Sequence, residues 1–411
     1  RLAPDGTTVV YTQQRIDPKT EKKYSNLWIT PTSGNPAAPY QFTYGDQNDS
    51  HPRWSPDGSQ IAFLSNRGDL EKPAQVYLIS LGGGEARPLT QLQGILGDFS
   101  WSPDGRKLVC QARKLDPEEL ERQEDEGKRK LGVVARHYDR FFYKLDGLGY
   151  LPHERWHLWV IDASSGKARQ LTDHPVYDEK EPAWSPDGRW IAFTSNRSPD
   201  PDARYEAIDL FAMPAKGGEP RKIETPLGEK FQPSFSPDGR WIAYYGTEGE
   251  GQGYQNQGLW AVPVDGSAPA RNLTEKYDLH VSPWTINDLG QPELMPPTWA
   301  KDGHRLYFPA VLHGSSVLMS VTLDGSHLQT VIGEGGVVGS FSYDRDLARL
   351  AYFYGQMDDP GQVRLRDLLT GEDRPLTRSN RELLNSLDLG EMEEIWFKGP
   401  GGYLLRKQAG G

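Results

Sequence analysis

Short runs of alternating residues repeat along the chain, and each is preceded by a turn sequence. In the run WIAFTS (190–195) both alternating sets are largely apolar, which predicts a strand that is covered on both faces. The tetrapeptide SPDG (185–188) just before it has the residue types that suit the four positions of a type I turn. The two features together predict a hairpin in which this turn joins neighbouring strands.

The same stretch recurs, as in PRWSPDGSQIAFLSNR, FSWSPDGRKLVCQAR, EPAWSPDGRWIAFTSNR and PSFSPDGRWIAYYGT. In most copies a second apolar strand follows about twenty residues later, and then a turn containing Gly or Ser and a short closing strand. Each unit therefore has four predicted strands. The residues before the turns mark seven units: Leu2, Trp54, Trp101, Trp184, Phe235, Trp299 and Phe341. The last two copies, WAKDG and FSYDRD, depart from the pattern, which leaves the borders of the sixth and seventh units open.

Seven four-stranded units of about 40 to 50 residues each are typical of the blades of a β-propeller. We therefore predict an all-β fold, a seven-bladed β-propeller of four-stranded antiparallel blades over residues 1–378. The 44 Gly, 32 Pro, 12 Trp and 19 Tyr fit a chain rich in turns and aromatic packing. The repetition then serves as scaffolding, because a single sheet would leave two apolar faces in water.

The interval between the third and fourth turns is the longest, which predicts an insertion at about 112–155 in the third blade. Its first part predicts a helix near 117–130, because Asp116 and Glu119 form a capping box and Pro117 suits the first helical position. Apolar residues are too few for a broad stripe, so we expect a helix that faces solvent.

The second part of the insertion, ARHYDRFFYKLDGLGYLPHERWHLWVID, interleaves basic and aromatic residues. We expect it either to guard or contact a ligand or to pack against a neighbouring domain. The candidate residues are Arg136, His137, Arg140 and Lys144, which we predict to line a cavity or a domain interface. An arginine there would pair with a peptide carboxylate through two parallel hydrogen bonds.

Charge and composition narrow the range of partners. The formal net charge of −11 and the isoelectric point near 5.4 disfavour nucleic acid, which is bound through clustered basic residues. The single cysteine, Cys110, lies in a strand-like run and is expected to be buried and unreactive. No apolar run is long enough to span a membrane, so we expect a cytoplasmic protein. Because the chain begins at Arg1 without Met, the sequence is compatible with a removed leader or a longer parent chain.

One stretch of the sequence matches a known metal-binding pattern. Residues 153–157 read HERWH, which matches the H-E-x-x-H pattern of zinc peptidases. That chemistry places both histidines on one helical face, whereas His157 runs directly into the strand HLWVID. We therefore expect neither a metal nor a cofactor, and expect His153 in a loop and His157 at a strand edge. Glu179 or Glu181 is a candidate third ligand by residue type, but the sequence does not place either of them near the histidines.

The exit from the last unit carries a family resemblance. The chain continues LTRSNRELLNSLDLGEMEEIWFKGPGG after its last predicted strand, with a helix expected at 381–387. Together with the SPDG turns and the segment YKLDGLGYLPHERWHLWVID, this exit resembles the propeller of prolyl oligopeptidase family serine peptidases, most closely the acylaminoacyl peptidase branch. In that family the exit leads into an α/β-hydrolase domain. Residues 379–411 are then an exit linker and the start of that domain, and relatives usually have more residues between Gly402 and Tyr403.

The resemblance implies a function without a catalytic residue in this chain. No G-x-S-x-G nucleophile elbow occurs, so we expect the catalytic serine in the hydrolase domain. The propeller would cap the active site and restrict access to short peptides. The sequence is also compatible with a homo-oligomer. The alternative is a TolB-like or other protein-binding propeller with no catalytic partner domain, for which six blades and an upstream α/β domain are expected instead of this exit.

Overall fold

Short strands are the commonest regular elements of the computed structural model, which describes residues 1–33, 39–146, 149–251, 254–283, 293–390, 392–399 and 404–410. The first sheet contains β1 (Thr8–Ile16), β2 (Lys23–Pro31) and β3 (Tyr40–Gln41), and a single bridge joins Leu2 to Val9 at its edge. The second sheet contains β4 (Asp49–Trp54), β5 (Gln60–Ser65), β6 (Gln75–Ser80) and β7 (Arg87–Pro88), paired in chain order.

The third sheet is interrupted by the insertion. It begins with β8 (Gly94–Trp101) and β9 (Lys107–Lys114), which are followed by α1 (Pro117–Glu124), α2 (Glu126–Leu131) and the hairpin β10 (Lys144–Leu145) and β11 (Gly149–Tyr150). The sheet is completed by β12 (His157–Asp162), which pairs with β9, and β13 (Ala168–Gln170).

The fourth and fifth sheets each have four strands in chain order. They contain β14 (Glu179–Trp184), β15 (Trp190–Ser195), β16 (Asp209–Pro214) and β17 (Arg221–Ile223), then β18 (Lys230–Phe235), β19 (Trp241–Gly246), β20 (Gly258–Pro263) and β21 (Arg271–Asn272).

The remaining propeller strands form one eight-stranded sheet. Its strands are β22 (Thr298–Trp299), β23 (Arg305–Leu312), β24 (Ser315–Thr322), β25 (Gln329–Ile332), β26 (Val337–Tyr343), β27 (Arg349–Gly355), β28 (Gln362–Asp367) and β29 (Asp373–Pro375). One parallel pair, Ser316 with Val337, joins its two halves. The exit follows with α3 (Arg381–Asn385) and the antiparallel hairpin β30 (Met392–Lys398) and β31 (Leu404–Gly410). The predicted junction between Gly402 and Tyr403 lies outside the described residues.

The SPDG hairpin is confirmed, and its side chains explain the motif. The Ser185 hydroxyl donates to Asp187 Oδ1 at 2.6 Å and accepts the Trp190 amide at 2.9 Å. The amide of Gly188 closes the turn on the Ser185 carbonyl at 2.9 Å with φ +68°, a conformation that glycine adopts without strain. The Ser–Asp contact recurs at 2.6 Å in three other copies: Ser55 with Asp57, Ser102 with Asp104, and Ser236 with Asp238.

The tryptophan before each turn links its sheet to the preceding one. The Trp101 indole donates to the Arg53 carbonyl at 3.1 Å, across the boundary between the second and third sheets. The same contact, always to the residue just before the preceding pre-turn position, recurs at 3.0–3.2 Å for Trp54 with Arg1, Trp184 with Ser100, and Trp299 with Ser234. An indole N–H that is withdrawn from water needs such an acceptor, so the repeated tryptophan helps to fix how neighbouring sheets stack.

The two ends of the array meet. Leu2 and Val9 of the first sheet share a buried apolar cluster with Ala351, Val363 and Leu365 of the last sheet. Sheet-to-sheet clusters of this kind follow one another along the chain, each joining apolar faces of adjacent sheets. The all-β prediction and the four-stranded antiparallel sheets are therefore confirmed. The number of blades stays a prediction, because the first sheet has three strands and the last eight strands form one sheet.

The helical part of the insertion differs in detail from the prediction. Two short helices occupy the stretch 117–131, since the Asp125 side chain accepts the Lys128 amide and begins a second helix. Asp116 caps the first helix through the amide of Glu118, and no described residue of either helix is buried. Among the described residues, no helix is both long and apolar enough to cross a membrane.

Candidate functional site

A cavity of about 470 Å³ lies where the first strands of the second to fifth sheets, β4, β8, β14 and β18, approach one another. We call it the central cavity. Its polar lining comes from widely separated parts of the chain: Arg1, Arg53, Asp98, Glu181, Gln232 and Glu293. Apolar side chains, including Phe99, Phe235 and Met295, complete its wall.

A repeated backbone distortion supplies the lining. In β4, β14 and β18 the pairing with the next strand shifts after the second residue, as in a β-bulge. The residues at these shifts, His51, Glu181 and Gln232, have φ of +52°, +55° and +54°, and each precedes a proline. Left-handed non-glycine residues store strain and occur where the surroundings hold them in place. At two of the three positions, Glu181 and Gln232, the distorted residue lines the central cavity.

Hydrogen bonds between sheets hold these distorted residues. The Glu181 amide donates to Gln111 Oε1 at 2.8 Å, and the Gln232 amide donates to Glu181 Oε2 at 2.9 Å. Thr194 also donates to Glu181 Oε2 at 2.9 Å. Burial raises the pKa of Glu181, and the two bonds to its carboxylate offset part of that effect. Backbone groups that the bulges remove from the ladder thereby keep partners.

A cluster of ion pairs forms part of the cavity wall. The Arg53 guanidinium contacts Glu293 Oε1 at 2.7 Å and Asp98 Oδ1 at 3.0 Å, and Arg1 contacts Glu293 Oε2 at 2.8 Å. Burial raises the pKa of Glu293, but the charges of Arg1 and Arg53 outweigh it and lower the pKa to about 2. The carboxylate therefore stays ionised at neutral pH. The cavity offers both signs of charge, which suits a zwitterionic or polar guest better than an apolar one.

The zinc pattern does not form a helical face. His153 lies in a loop with its Nδ1 atom 3.4 Å from Asp139, and His157 is the first residue of β12. The Nδ1 atom of His157 lies 2.9 Å from Glu179 Oε2, and Arg197 contacts the other oxygen of Glu179 at 3.1 Å. No group of three candidate metal ligands occurs among the described residues. His157 is a strand residue as expected, but it is buried rather than exposed at an edge.

The sequence reasoning missed a buried ion-pair motif. In the second sheet Asp49 is fully buried and accepts two contacts from Arg67, at 2.8 and 2.9 Å. Glu179 and Arg197 take the same places in the fourth sheet. The signal was present, since S-N-R follows the second strand in both units (FLSNR and FTSNR) and is absent from the third and fifth. Cys110, in contrast, is buried as predicted, and burial raises the pKa of its thiol to about 12.

A second cavity, of about 710 Å³, lies between the insertion and the fourth sheet. We call it the insertion cavity. Of the four predicted residues, Arg140 lines it, and its guanidinium is held by Asp202 through contacts of 2.7 and 3.0 Å. The other three are not brought to that wall: Arg136 and Lys144 lie over the ring of Tyr150, at 4.2 and 5.5 Å from its centroid, and His137 is exposed.

Comparison with known proteins gives relatives for almost the whole chain. No family model matches it. The uncharacterized peptidase YuxL of Bacillus subtilis is 29% identical over 98% of this chain and 60% of its own length. The chain therefore spans less than two thirds of a curated relative that it matches.

Solved structures agree on the fold. The acylaminoacyl peptidase of Pyrococcus horikoshii superposes with a TM-score of 0.72 at 19% identity, over 97% of this chain and 55% of that one. The β-propeller domain of the Trilobed protease from Pyrococcus furiosus superposes with a TM-score of 0.58 at 18% identity, over 91% of this chain and 95% of that one. These comparisons confirm that the chain is a β-propeller and that it resembles the propeller domain of prolyl oligopeptidase family peptidases, acylaminoacyl peptidase branch.

Proposed function

We propose that this chain is the non-catalytic, seven-bladed propeller domain of a serine oligopeptidase of the acylaminoacyl peptidase type. It caps the active site of a following α/β-hydrolase domain and restricts access to short peptides. One observation carries this proposal: 98% of the chain matches a peptidase, and the match covers only 60% of that peptidase's length. The same match favours a peptidase over the TolB-like alternative, because a match over 98% of the chain includes most of the exit.

The positions of the insertion and the exit support a domain on one side of the propeller. In each antiparallel sheet the second and fourth strands end on the side where the first strand begins, opposite the SPDG turns. The insertion follows β9, a second strand, and the exit follows β29, a fourth strand. The exit strand β30 also contacts this side, since the Trp396 ring lies 5.4 Å from His313 in the turn after β23. A domain that follows residue 378 would begin on the same side of the sheets as the insertion.

The central cavity suits the access role. Charged and polar groups that neighbouring sheets hold in place form part of its wall, beside apolar side chains. A peptide segment would find partners for its amide groups there, whereas a folded protein would not fit a space of about 470 Å³. The cytoplasmic location and the homo-oligomer considered above stay predictions.

Activity measurements test the proposal. The 411-residue chain and the full-length protein would be assayed on peptide anilides and acyl-amino-acid esters, with and without a serine-directed fluorophosphonate. We expect an inert chain and a full-length protein that turns over and is labelled. A full-length protein that neither turns over nor reacts would refute the peptidase assignment. A full-length peptidase that digests a folded protein as fast as a short peptide would refute the access role.

A further inference from the structure

The insertion cavity has apolar walls on both sides. The insertion contributes Phe142, Leu151 and Trp156, and the fourth unit contributes Val176, Tyr205 and Ile208. The rings of Phe142 and Tyr205 meet edge to face at 5.7 Å, which fixes one end of the wall. A space of about 710 Å³ with such walls is in the range that binds small ligands.

Two arginines on this wall are less completely paired than Arg140. Arg155 has its nearest carboxylate, that of Asp178, at 3.9 Å, and its buried Nε atom has no hydrogen-bond partner within the described parts of the chain. Arg113 lies over the Trp156 ring, 5.0 Å from its centroid. Burial lowers the pKa of both arginines, and nearby carboxylates, that of Asp178 in both cases, offset only part of this effect. An anionic group in the cavity would give both arginines a charged partner.

The cavity also holds an acceptor without a donor. The Oε2 atom of Glu154 is buried and has no hydrogen-bond partner among the residues that the structure describes. Glu154 and Arg155 both line the cavity, so the residues that carry this acceptor and the unpaired Nε atom are neighbours in the same wall. A guest that suits this cavity has a carboxylate for the arginines, an amide N–H for the carboxylate of Glu154 and an apolar side chain for the walls.

We propose that the insertion cavity binds the carboxyl-terminal residue of a short peptide. The terminal carboxylate contacts Arg155 and Arg113, the last peptide N–H donates to Glu154, and the side chain packs against Phe142 and Trp156. The choice of a peptide rests on the proposed function. The cavity also adjoins the central cavity, because Thr194 lines it and donates a hydrogen bond to Glu181 of the central wall.

Binding of matched peptides tests this assignment directly. Acetyl-Ala-Ala-Phe would be titrated calorimetrically into the 411-residue chain as the free acid and as the carboxyl-terminal amide. We expect the acid to bind at least 10-fold more tightly than the amide, and a free acid ending in Gly to bind more weakly than the one ending in Phe. Equal affinities for acid and amide, or no binding of the acid at millimolar concentration, would overturn the proposal.

Variants locate the site. Arg155→Gln and Arg113→Gln should each weaken binding of the acid about 10-fold or more and leave the weak binding of the amide unchanged. The matched control is Arg136→Gln, which removes a basic residue of the same insertion that stacks on Tyr150 outside this wall. If Arg155→Gln does not fold, Arg113→Gln and the acid–amide contrast decide. Unchanged binding in both cavity variants would refute the location.

The outcome is separable from that of the proposed function, because the titration needs no cleavage. An inactive full-length protein whose propeller still prefers the free acid would refute the peptidase assignment and keep this site. An active peptidase whose propeller binds acid and amide equally would support the peptidase assignment and refute this site.

Discussion

The Nδ1 atom of His157 lies 2.9 Å from the Oε2 atom of Glu179, a residue that follows it by 22 positions in the next unit of the chain. This contact joins the third sheet to the fourth, and Arg197 completes it from the other side of the carboxylate. A pattern associated with zinc therefore serves here as a structural link between two sheets.

The first prediction concerns metal. We expect the purified chain to hold no stoichiometric zinc, because His157 is directed to Glu179 and His153 lies in an exposed loop beside Asp139. Elemental analysis after dialysis measures it. One equivalent of tightly bound zinc that disappears in His157→Ala would contradict this expectation.

The second prediction concerns the buried carboxylate of the second sheet. Asp49→Ala should lower the free energy of unfolding by about 3–5 kcal/mol, because it leaves Arg67 without its partner in a buried site. It also removes the acceptor of Ser65, Thr43 and Gln47, whose contacts with Asp49 are 2.6–3.1 Å long. Urea unfolding of variant and parent chain measures the difference.

The control for that experiment lies three residues away. Asp46 pairs with Arg15 at the surface, where both side chains are exposed. Asp46→Ala should cost no more than about 1 kcal/mol. Equal losses for the two variants would show that burial of the Asp49 pair is not what stabilises the second sheet.

The third prediction concerns acid stability. The pKa of Glu293 is lowered in the folded state from 4.5 to about 2, so its contribution is complete above about 4.5 and is lost as the pH falls toward 2. A shift of that size corresponds to about 3 kcal/mol, and partial exposure of the side chain reduces it to about 1–2 kcal/mol. Glu293→Gln should therefore lower stability at pH 7 and narrow its gap to the parent chain near pH 2. A gap that is independent of pH would contradict the ion-pair assignment.

The fourth prediction concerns the links between sheets. Trp101→Phe keeps the aromatic ring but removes the donor to the Arg53 carbonyl, and it should cost about 1–2 kcal/mol. The half-exposed Trp190, which lies under Arg221 at 5.5 Å, offers the comparison Trp190→Phe, with an expected cost below about 1 kcal/mol. Thermal unfolding of the two variants side by side measures both. A larger loss for Trp190→Phe would contradict the role of the indole link.

Sequence reasoning succeeded where the determinants are local. The SPDG turn, the strand after it and the buried position of Cys110 depend on residues within a few positions of one another. The central cavity depends instead on contacts such as that between Arg53 and Glu293, which are 240 positions apart, and no pattern in one sequence pairs them. The same limit applies to Arg140, whose partner Asp202 lies 62 positions away.

The left-handed residues of the site are marked by a pattern in the sequence. A polar residue precedes proline at the same place in three units, in HPRW, EPAW and QPSF. In the structure these are the left-handed residues His51, Glu181 and Gln232. Proline has no amide hydrogen for the strand ladder and occurs within sheets at edges or bulges, so a proline repeated at the same place inside a strand indicates a distorted backbone position.

The tryptophan links give the array a direction. Each indole reaches back to the sheet that precedes it in the chain, to a carbonyl at the same place in the repeat. Any sheet with this donor at one face and this acceptor at the other would therefore fit between any two such neighbours. The joints made by tryptophan are therefore equivalent, so a unit that carries both the donor and the acceptor can be duplicated with the same manner of joining, whereas the fifth unit, with Phe235 before its turn, joins the fourth without an indole at that position.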